Sequence, residues 1–453
     1  MSKWVVAVVR YEKPLESVGR AIKLSGGLDH LPPKARVFVK PNIVLWTRRA
    51  VFPKWGVITT TRVLEDVIVH LKERGIDEIT IGEGMVLFDP NDKITPSHAF
   101  ESLGYKVLEK KHGVKCLNVF ERPFKKIDIG CGVKLNFNVD ILESDFVVNI
   151  PVLKTHHQTV VSLGIKNLKG MIDVASRKKC HSADTKKDLH YMISKLANEM
   201  PPGFTLLDGI YTTERGPSVN GVIRRSNLLV GSRDVFSTDV VGAKLLGYEP
   251  HQVPHLVHAA GDRNRPLDLS DVKVVGEKIE GVASFHDYDF SYNENGLLPT
   301  VMEKRGMSGV TYRKYDSSLC TYCAGLYPVI MAATMQAWKG TPWDDVEVLT
   351  GKVMEPTHGK NKTVLIGNCM CQKNSNHPNI RNLIAVKGCP PDPKVLSQAF
   401  RQAGIEVNPG TLENWEQNMG LLMKKYEGRP EFDEAFFRAS SAGSSARPHN
   451  RRN

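Results

Sequence analysis

The residues with the most chemical capability fall in one stretch, DFVVNIPVLKTHHQTVVSLGIKNLKGMID, residues 145–173. Lys154, Lys166 and Lys169 are cationic donors. Asn167 is a neutral amide that both donates and accepts, and His156 or His157 exchanges a proton near neutral pH. Together they can hold a carboxylate or phosphate and stabilise negative charge developing on a substrate oxygen. Lys154, His156, Lys166 and Asn167 form the candidate catalytic set. Lys169 joins Lys40, Asn42, Asp208 and Asp239 as the candidate substrate-binding set. Plainer roles compete. His157 reads as an exposed turn residue, and Asp234 as a helix N-cap. Asp208 before Gly209 also fits an Asx turn, and Asp239 an ion pair on a helix surface. Lys40-Pro41-Asn42 also fits a turn that merely aims one lysine.

A second group is made of thiols: Cys320-x-x-Cys323, then Cys369 and Cys371, then Cys389 in GCPP. Cys320 and Cys323 bracket an expected helix start, while Cys369 and Cys389 close strand-like runs. In a parallel sheet these points share one edge. Four thiolates there bind zinc or an iron–sulfur cluster. Structural zinc sites usually use two close pairs, whereas here one pair is followed by separated single positions. The Cys-Pro junction also occurs in cluster-binding runs. A [4Fe–4S] cluster on Cys320, Cys323, Cys369 and Cys389 is therefore expected, with zinc, or thiols carrying no metal, as the alternatives. Cys371, two residues past Cys369, is the alternative ligand in its place. Cys116, Cys131 and Cys180 read as buried structural thiols.

These side chains need strand ends to hold them. Runs 4–10, 36–40, 78–81, 114–120, 135–141, 204–207, 227–230 and 272–275 read as strands. The near-continuous apolar run 146–153 reads as a strand buried on both faces. Helical patterns at 59–75, 97–103, 189–200, 236–246 and 254–260 alternate with them. The class expected is α/β: a large mixed, mostly parallel sheet domain with a second, smaller cysteine-bearing α/β domain. The large domain is placed at 1–278. A linker or irregular subdomain follows at 279–315. The cysteine module with helix 323–338, strands 346–350, 363–366 and 383–386, helix 393–403 and C-terminal helices occupies 316–437. The Ser/Ala/Arg-rich tail 438–453 is expected to be disordered.

The chain of 453 residues carries a net charge of +12. Residues 151–187 hold eight Lys/Arg against Asp173 and Asp184, and the tail adds four arginines without an acid. Such concentrated charge attracts anions, from phosphate esters to nucleic acid. No Phe, Tyr or Trp interleaves the basic residues of 151–187, which disfavours a nucleic-acid surface. No apolar run has the roughly 20 residues of a membrane helix. The first strand follows the N-terminus without a signal-like pattern, so a cytoplasmic protein is expected. A disulfide framework is not.

VKPN at 39–42, VNIPVLKTH at 148–156, GIKNLKG at 164–170, LLDGI at 206–210, Gly216-Pro217 with Gly221, and SRDVFSTDVVGAKLLGY at 232–248 are together specific. They resemble the "domain of unknown function 362" family over roughly residues 36–260. CTYC at 320–323 and GCPP at 388–391 are similar to a subtype of that family with a C-terminal iron–sulfur module. The resemblance implies an α/β fold and a redox-linked role, and names no substrate. The function expected is an iron–sulfur-dependent oxidoreductase acting on an anionic small molecule, with a possible redox partner protein. The alternatives are a non-enzymatic electron-transfer or cluster-carrier protein, and a zinc-stabilised nucleic-acid-binding protein.

Overall fold

The computed structural model describes residues 3–89, 91–130, 132–216 and 220–439. The expectations for Cys131, Pro217 and most of the 438–453 tail lie outside the described residues. In chain order the strands are β1 (Trp4–Arg10), β2 (Val37–Lys40), β3 (Ile79–Glu83), β4 (Lys115–Asn118), β5 (Phe124–Asp128), β6 (Lys134–Asn138), β7 (Phe146–Asn149), β8 (Val152–His156), β9 (Val160–Val161), β10 (Gly203–Glu214), β11 (Val222–Ser232), β12 (Val272–Gly276), β13 (Val310–Tyr312), β14 (Val346–Thr350), β15 (Lys362–Ile366) and β16 (Leu383–Val386).

The protein is α/β. Its large sheet runs β12-β1-β11-β10-β7-β2-β3-β4, with β8 beside β10 and β9 beside β8. From β10 outward through β7, β2, β3 and β4 every pairing is parallel, while β11 opposes both of its neighbours. The central strands VFVK and FVVN are buried at every position, because helices cover both faces. From β2 the chain winds out through β3 to β4, then returns to place β7 on the other side of β2. That reversal opens a crevice beyond the carboxyl ends of β2 and β7, where open α/β sheets bind ligands.

The fold departs from sequence expectation at three places. The apolar run 146–153 is not one strand. Pro151 has no N–H to continue the ladder, so pairing breaks there, and β8 resumes against β10 on one side and the short β9 on the other. This kink lifts Lys154, Thr155 and His156 over the crevice. Strand β10 does not end at Asp208-Gly209 but continues to Glu214 through a register shift between Gly209 and Tyr211. A side chain at 209 would press on Leu228 O at 2.9 Å and on Leu153, so this glycine serves close packing, not termination. Cys369 does not close a strand; it sits in the first turn of the Asn368–Asn374 helix.

The second sheet, β13-β14-β15-β16, is parallel throughout and has its own apolar core. Its first strand, β13, falls inside the stretch read as a linker. The expected C-terminal helices are short pieces, and Trp415, Met419, Tyr426, Phe432 and Phe437 pack into the core of the large sheet. The chain thus crosses back after completing the small sheet. Among the described residues, no helix is long and apolar enough to cross a membrane.

Candidate functional site

The Leu163–Asn167 helix and the 3-10 turn Leu168–Met171 after it set Lys166 and Lys169 three residues apart, hence on one face. Asp239, in the helix Val235–Leu245, fixes this segment from behind. Its two carboxylate oxygens accept from Gly164 N at 2.7 Å and Ile165 N at 2.8 Å. Asn149 Nδ2 donates to Gly164 O at 3.0 Å. Val44, Val160 and Leu163 take left-handed backbone angles, with φ of 63°, 63° and 45°. Each such non-glycine conformation costs on the order of 1–3 kcal/mol, and they cluster where ligand sites are built.

The crevice closes into a cavity of about 150 Å³. Lys154, His156, Lys166, Asn167 and Lys169 all border it, as does Asn42, so six of the nine non-cysteine candidates meet there. Its opposite wall comes from Ile43, Val44, Val86 and Phe88 and from Thr321, Ala324 and Gly325 of the Thr321–Ala337 helix. The cation-bearing edge of the large sheet therefore faces the cysteine-bearing helix of the small one.

Lys40, Asp208 and Asp239 stand apart from the cavity, whereas His157 borders it. Lys40 is fully buried behind it, with its ammonium 2.7 Å from Glu83 and donating also to Pro41 O. Asp208, mid-strand in β10, accepts from Thr60 N at 2.7 Å and Ile210 N. Asp239 is consumed as described. Both aspartates position backbone and present no free oxygen to a ligand. His157 corrects the expectation of an exposed turn residue. It stacks on His156 with centroids 4.8 Å apart, and its Nδ1–H donates to Gly216 O at 3.0 Å. Burial lowers its pKa to about 4, so it is neutral.

Glu83, Arg177 and His181 were not singled out from the sequence, yet all three border the cavity. Glu83 ends β3 on the same edge as Lys40, which was the available signal. Its Oε2 accepts from Lys40 and Ile43 N, and its Oε1 from Gly84 N. Gly170 is a glycine because a side chain there would meet Lys40 Nζ at 2.7 Å and Glu83 Oε1 at 2.6 Å. Arg177 spends its guanidinium on Ile172 O, Gly84 O and Gly170 O. His181 donates from Nδ1 to Ser317 O at 2.8 Å, so its Nε2 is an acceptor and takes a hydrogen bond from Lys169 Nζ at 2.5 Å.

Electrostatically the cavity is poor in anions. Burial lowers Lys154 to about 7, Lys169 to about 8 and Arg177 to about 10. Burial, with Lys169, Lys154 and Arg177 nearby, holds Lys166 well below the lysine range. Its side chain keeps some accessible surface because it borders the cavity, while protein surrounds it at longer range. Lys154 donates to Asn42 Oδ1 at 2.7 Å and Val57 O at 2.6 Å. Asn167 donates to Asn149 Oδ1 at 2.8 Å and accepts from Asn42 Nδ2 at 3.1 Å. His156 accepts at Nδ1 from Gln158 N, so its proton resides on Nε2, and burial keeps it neutral.

The thiols lie next to this site. Cys320 packs with Val86 and Tyr322 at the domain junction. The Cys320 thiol is within hydrogen-bonding reach of both Cys323 and Cys389, and Cys323 interacts with Cys369. The bond from Cys320 is the main cause that lowers Cys323. Gly367, at the end of β15, is so close that a Cβ there would sit 3.3 Å from Cys323 Sγ. Cys371 points the other way, into the small core, where its thiol donates to Leu365 O and Val386 O. Among the described residues, no three His, Cys, Asp or Glu side chains share a centre that holds a metal ion. The thiols approach one another in pairs, and the set of four sulfurs without histidine or carboxylate is the donor chemistry of zinc–thiolate or iron–sulfur sites.

Gln158 and Lys352 tie the two units together. Gln158 Nε2 donates to Asp316 O at 2.8 Å and Leu319 O at 2.9 Å. Lys352 Nζ donates to Lys178 O and His181 O, at the end of the helix Val174–Cys180.

Comparison with known proteins gives three findings. The family model described as "Domain of unknown function (DUF362)" matches residues 37–244. The thylakoid-associated protein sll1697 of Synechocystis sp. is 30% identical over 248 residues, which span 53% of this chain and 72% of that protein. A lactate racemase apoprotein from Thermoanaerobacterium thermosaccharolyticum aligns in structure at 15% identity and a TM-score of 0.36, covering 78% of this chain and 70% of that one.

Proposed function

The chain belongs to the DUF362 family, and from that premise we propose that it is an iron–sulfur oxidoreductase acting on an anionic small molecule. The observation that carries this reading is the shared wall: the helix that follows Cys320 lines the same cavity as Lys154, Lys166 and Lys169. A purely structural metal gains nothing from such a position. A redox centre gains proximity to substrate.

In this reading Cys320, Cys323, Cys369 and Cys389 hold a [4Fe–4S] cluster. Cys371 is excluded from the set by its orientation into the core. The cluster, when bound, supplies one-electron transfer. The chain's own residues do the rest. Lys169 keeps donors beyond its bond to His181 and anchors the anion. Arg177 and Lys154 contribute positive field, and Asn42, itself bonded to Asn167, holds Lys154 in place. Lys166 and His156 face the reacting part of the substrate, where they exchange or share protons. A concave cavity lined mainly by apolar surface favours an enzyme over a carrier that docks through a shallow surface.

Anaerobic purification with iron and acid-labile sulfide analysis tests the cluster. Iron and sulfide in stoichiometric amounts are expected, lost in Cys369→Ser and kept in Cys371→Ser. Stoichiometric zinc without sulfide would defeat the reading.

A further inference from the structure

Lys166 borders the cavity, yet among the described residues its amine makes no hydrogen bond and no ion pair. Its charged neighbours, Lys169, Lys154 and Arg177, all have its own sign. Burial beside these cations favours the neutral form of the amine, whose lone pair is then available. Desolvation beside other cations is the arrangement that turns a lysine into a nucleophile. Every other cation of the cavity is committed at least in part: Lys154 to Asn42 and Val57, Lys169 to His181, Arg177 to three carbonyls.

The surroundings suit one kind of electrophile. Lys169 is an ammonium with donors to spare, three residues along the same face, and can pair with a carboxylate. His156 lines the same cavity with its proton on Nε2, available to a carbonyl oxygen. Ile43, Val44 and Val86 supply an apolar wall for a short carbon chain, and about 150 Å³ limits its size.

We propose that Lys166 Nζ forms a Schiff base with the carbonyl of a small 2-oxo acid whose carboxylate pairs with Lys169. The amine adds to the carbonyl carbon. The oxygen then leaves as water, taking the two amine protons, and a C=N bond replaces C=O. No oxidant or reductant is consumed. The proposal rests on the anionic-substrate reading and names its substrate class; it does not need the cluster.

The test uses the full chain with pyruvate and sodium cyanoborohydride, which reduces the imine to a stable secondary amine, followed by peptide mapping in a mass spectrometer. One adduct is expected, on Lys166, absent in Lys166→Arg and suppressed at least tenfold by excess oxalate. Acetate, which has no carbonyl to attack, should give none. An adduct on Lys154, on Lys169 or scattered over surface lysines would overturn the assignment. Circular dichroism of Lys166→Arg separates a lost nucleophile from a lost fold, and if the variant is unfolded, oxalate protection of the unmodified chain decides. Oxalate binding by calorimetry distinguishes the two levels. Binding of oxalate with no pyruvate adduct removes the Schiff base and leaves the anion site; binding of neither removes both.

Discussion

Lys40 ends β2 with its ammonium 2.7 Å from Glu83; Lys166, one strand crossover away, has no carboxylate partner among the described residues. Both are enclosed and both have lowered pKa values through burial. Their difference lies in compensation. Lys40 is half of a satisfied pair that locks the ends of β2 and β3 together, and removing one half strands a buried charge. Lys166 compensates nothing, and burial among like charges disfavours its charged form. A lysine paired within the fold and a lysine left without a counter-charge thus differ by a single carboxylate.

This contrast can be broken by measurement. Lys40→Met leaves the Glu83 carboxylate buried without its counter-charge and should cost about 3–5 kcal/mol in denaturant unfolding. A loss below about 1 kcal/mol would erase the distinction. Lys154 gives the next effect. Its folded value is about 7 against an ordinary 10.5, so the unfolded chain binds more protons between these values. Its contribution to stability therefore rises as pH climbs from about 7 towards 10.5. Asp239 acts with opposite sign: burial raises its carboxyl from 3.8 to about 8, so its contribution falls across that range. Taking the difference between the wild-type protein and Lys154→Met cancels Asp239. The wild-type protein should gain up to about 2 kcal/mol over the variant between pH 7 and 9; parallel curves would refute the assignment. Asp239→Asn keeps one acceptor for two backbone donors and should cost about 1 kcal/mol in thermal or denaturant unfolding. Lys166→Met should change stability least, by under about 1 kcal/mol, because it removes a desolvated amine and leaves no partner behind. A loss as large as that of Lys40→Met would make Lys166 structural.

Much of this was legible beforehand for a physical reason. Buried parallel strands read as apolar runs, and polar residues at their ends stand out, which brought Asn42, Lys154, His156, Lys166, Asn167 and Lys169 together in advance. Asp208 and Asp239 misled because a pattern does not say which backbone a carboxylate will cap: the partners of Asp239 lie 74 and 75 residues away. His157 misled because its burial depends on stacking against His156 and on Tyr315, whose ring centroid is 4.6 Å away. Arg177 and His181 were hidden within a basic run whose other members are partly exposed. The return of 415–437 to the large core left no local trace, since short helices carry the same pattern whichever core they cover.

Gln158 divides its bonding between two regions. Its main-chain N–H fills Nδ1 of His156, and its side chain grips the loop that leads into Cys320. The tautomer of an imidazole in the cavity and the posture of the first thiol thus hang on one residue. Pulling that loop away loosens the bond that holds the imidazole proton on Nε2. The two halves of the site consequently share a reference point, and disturbing one alters the proton bookkeeping of the other.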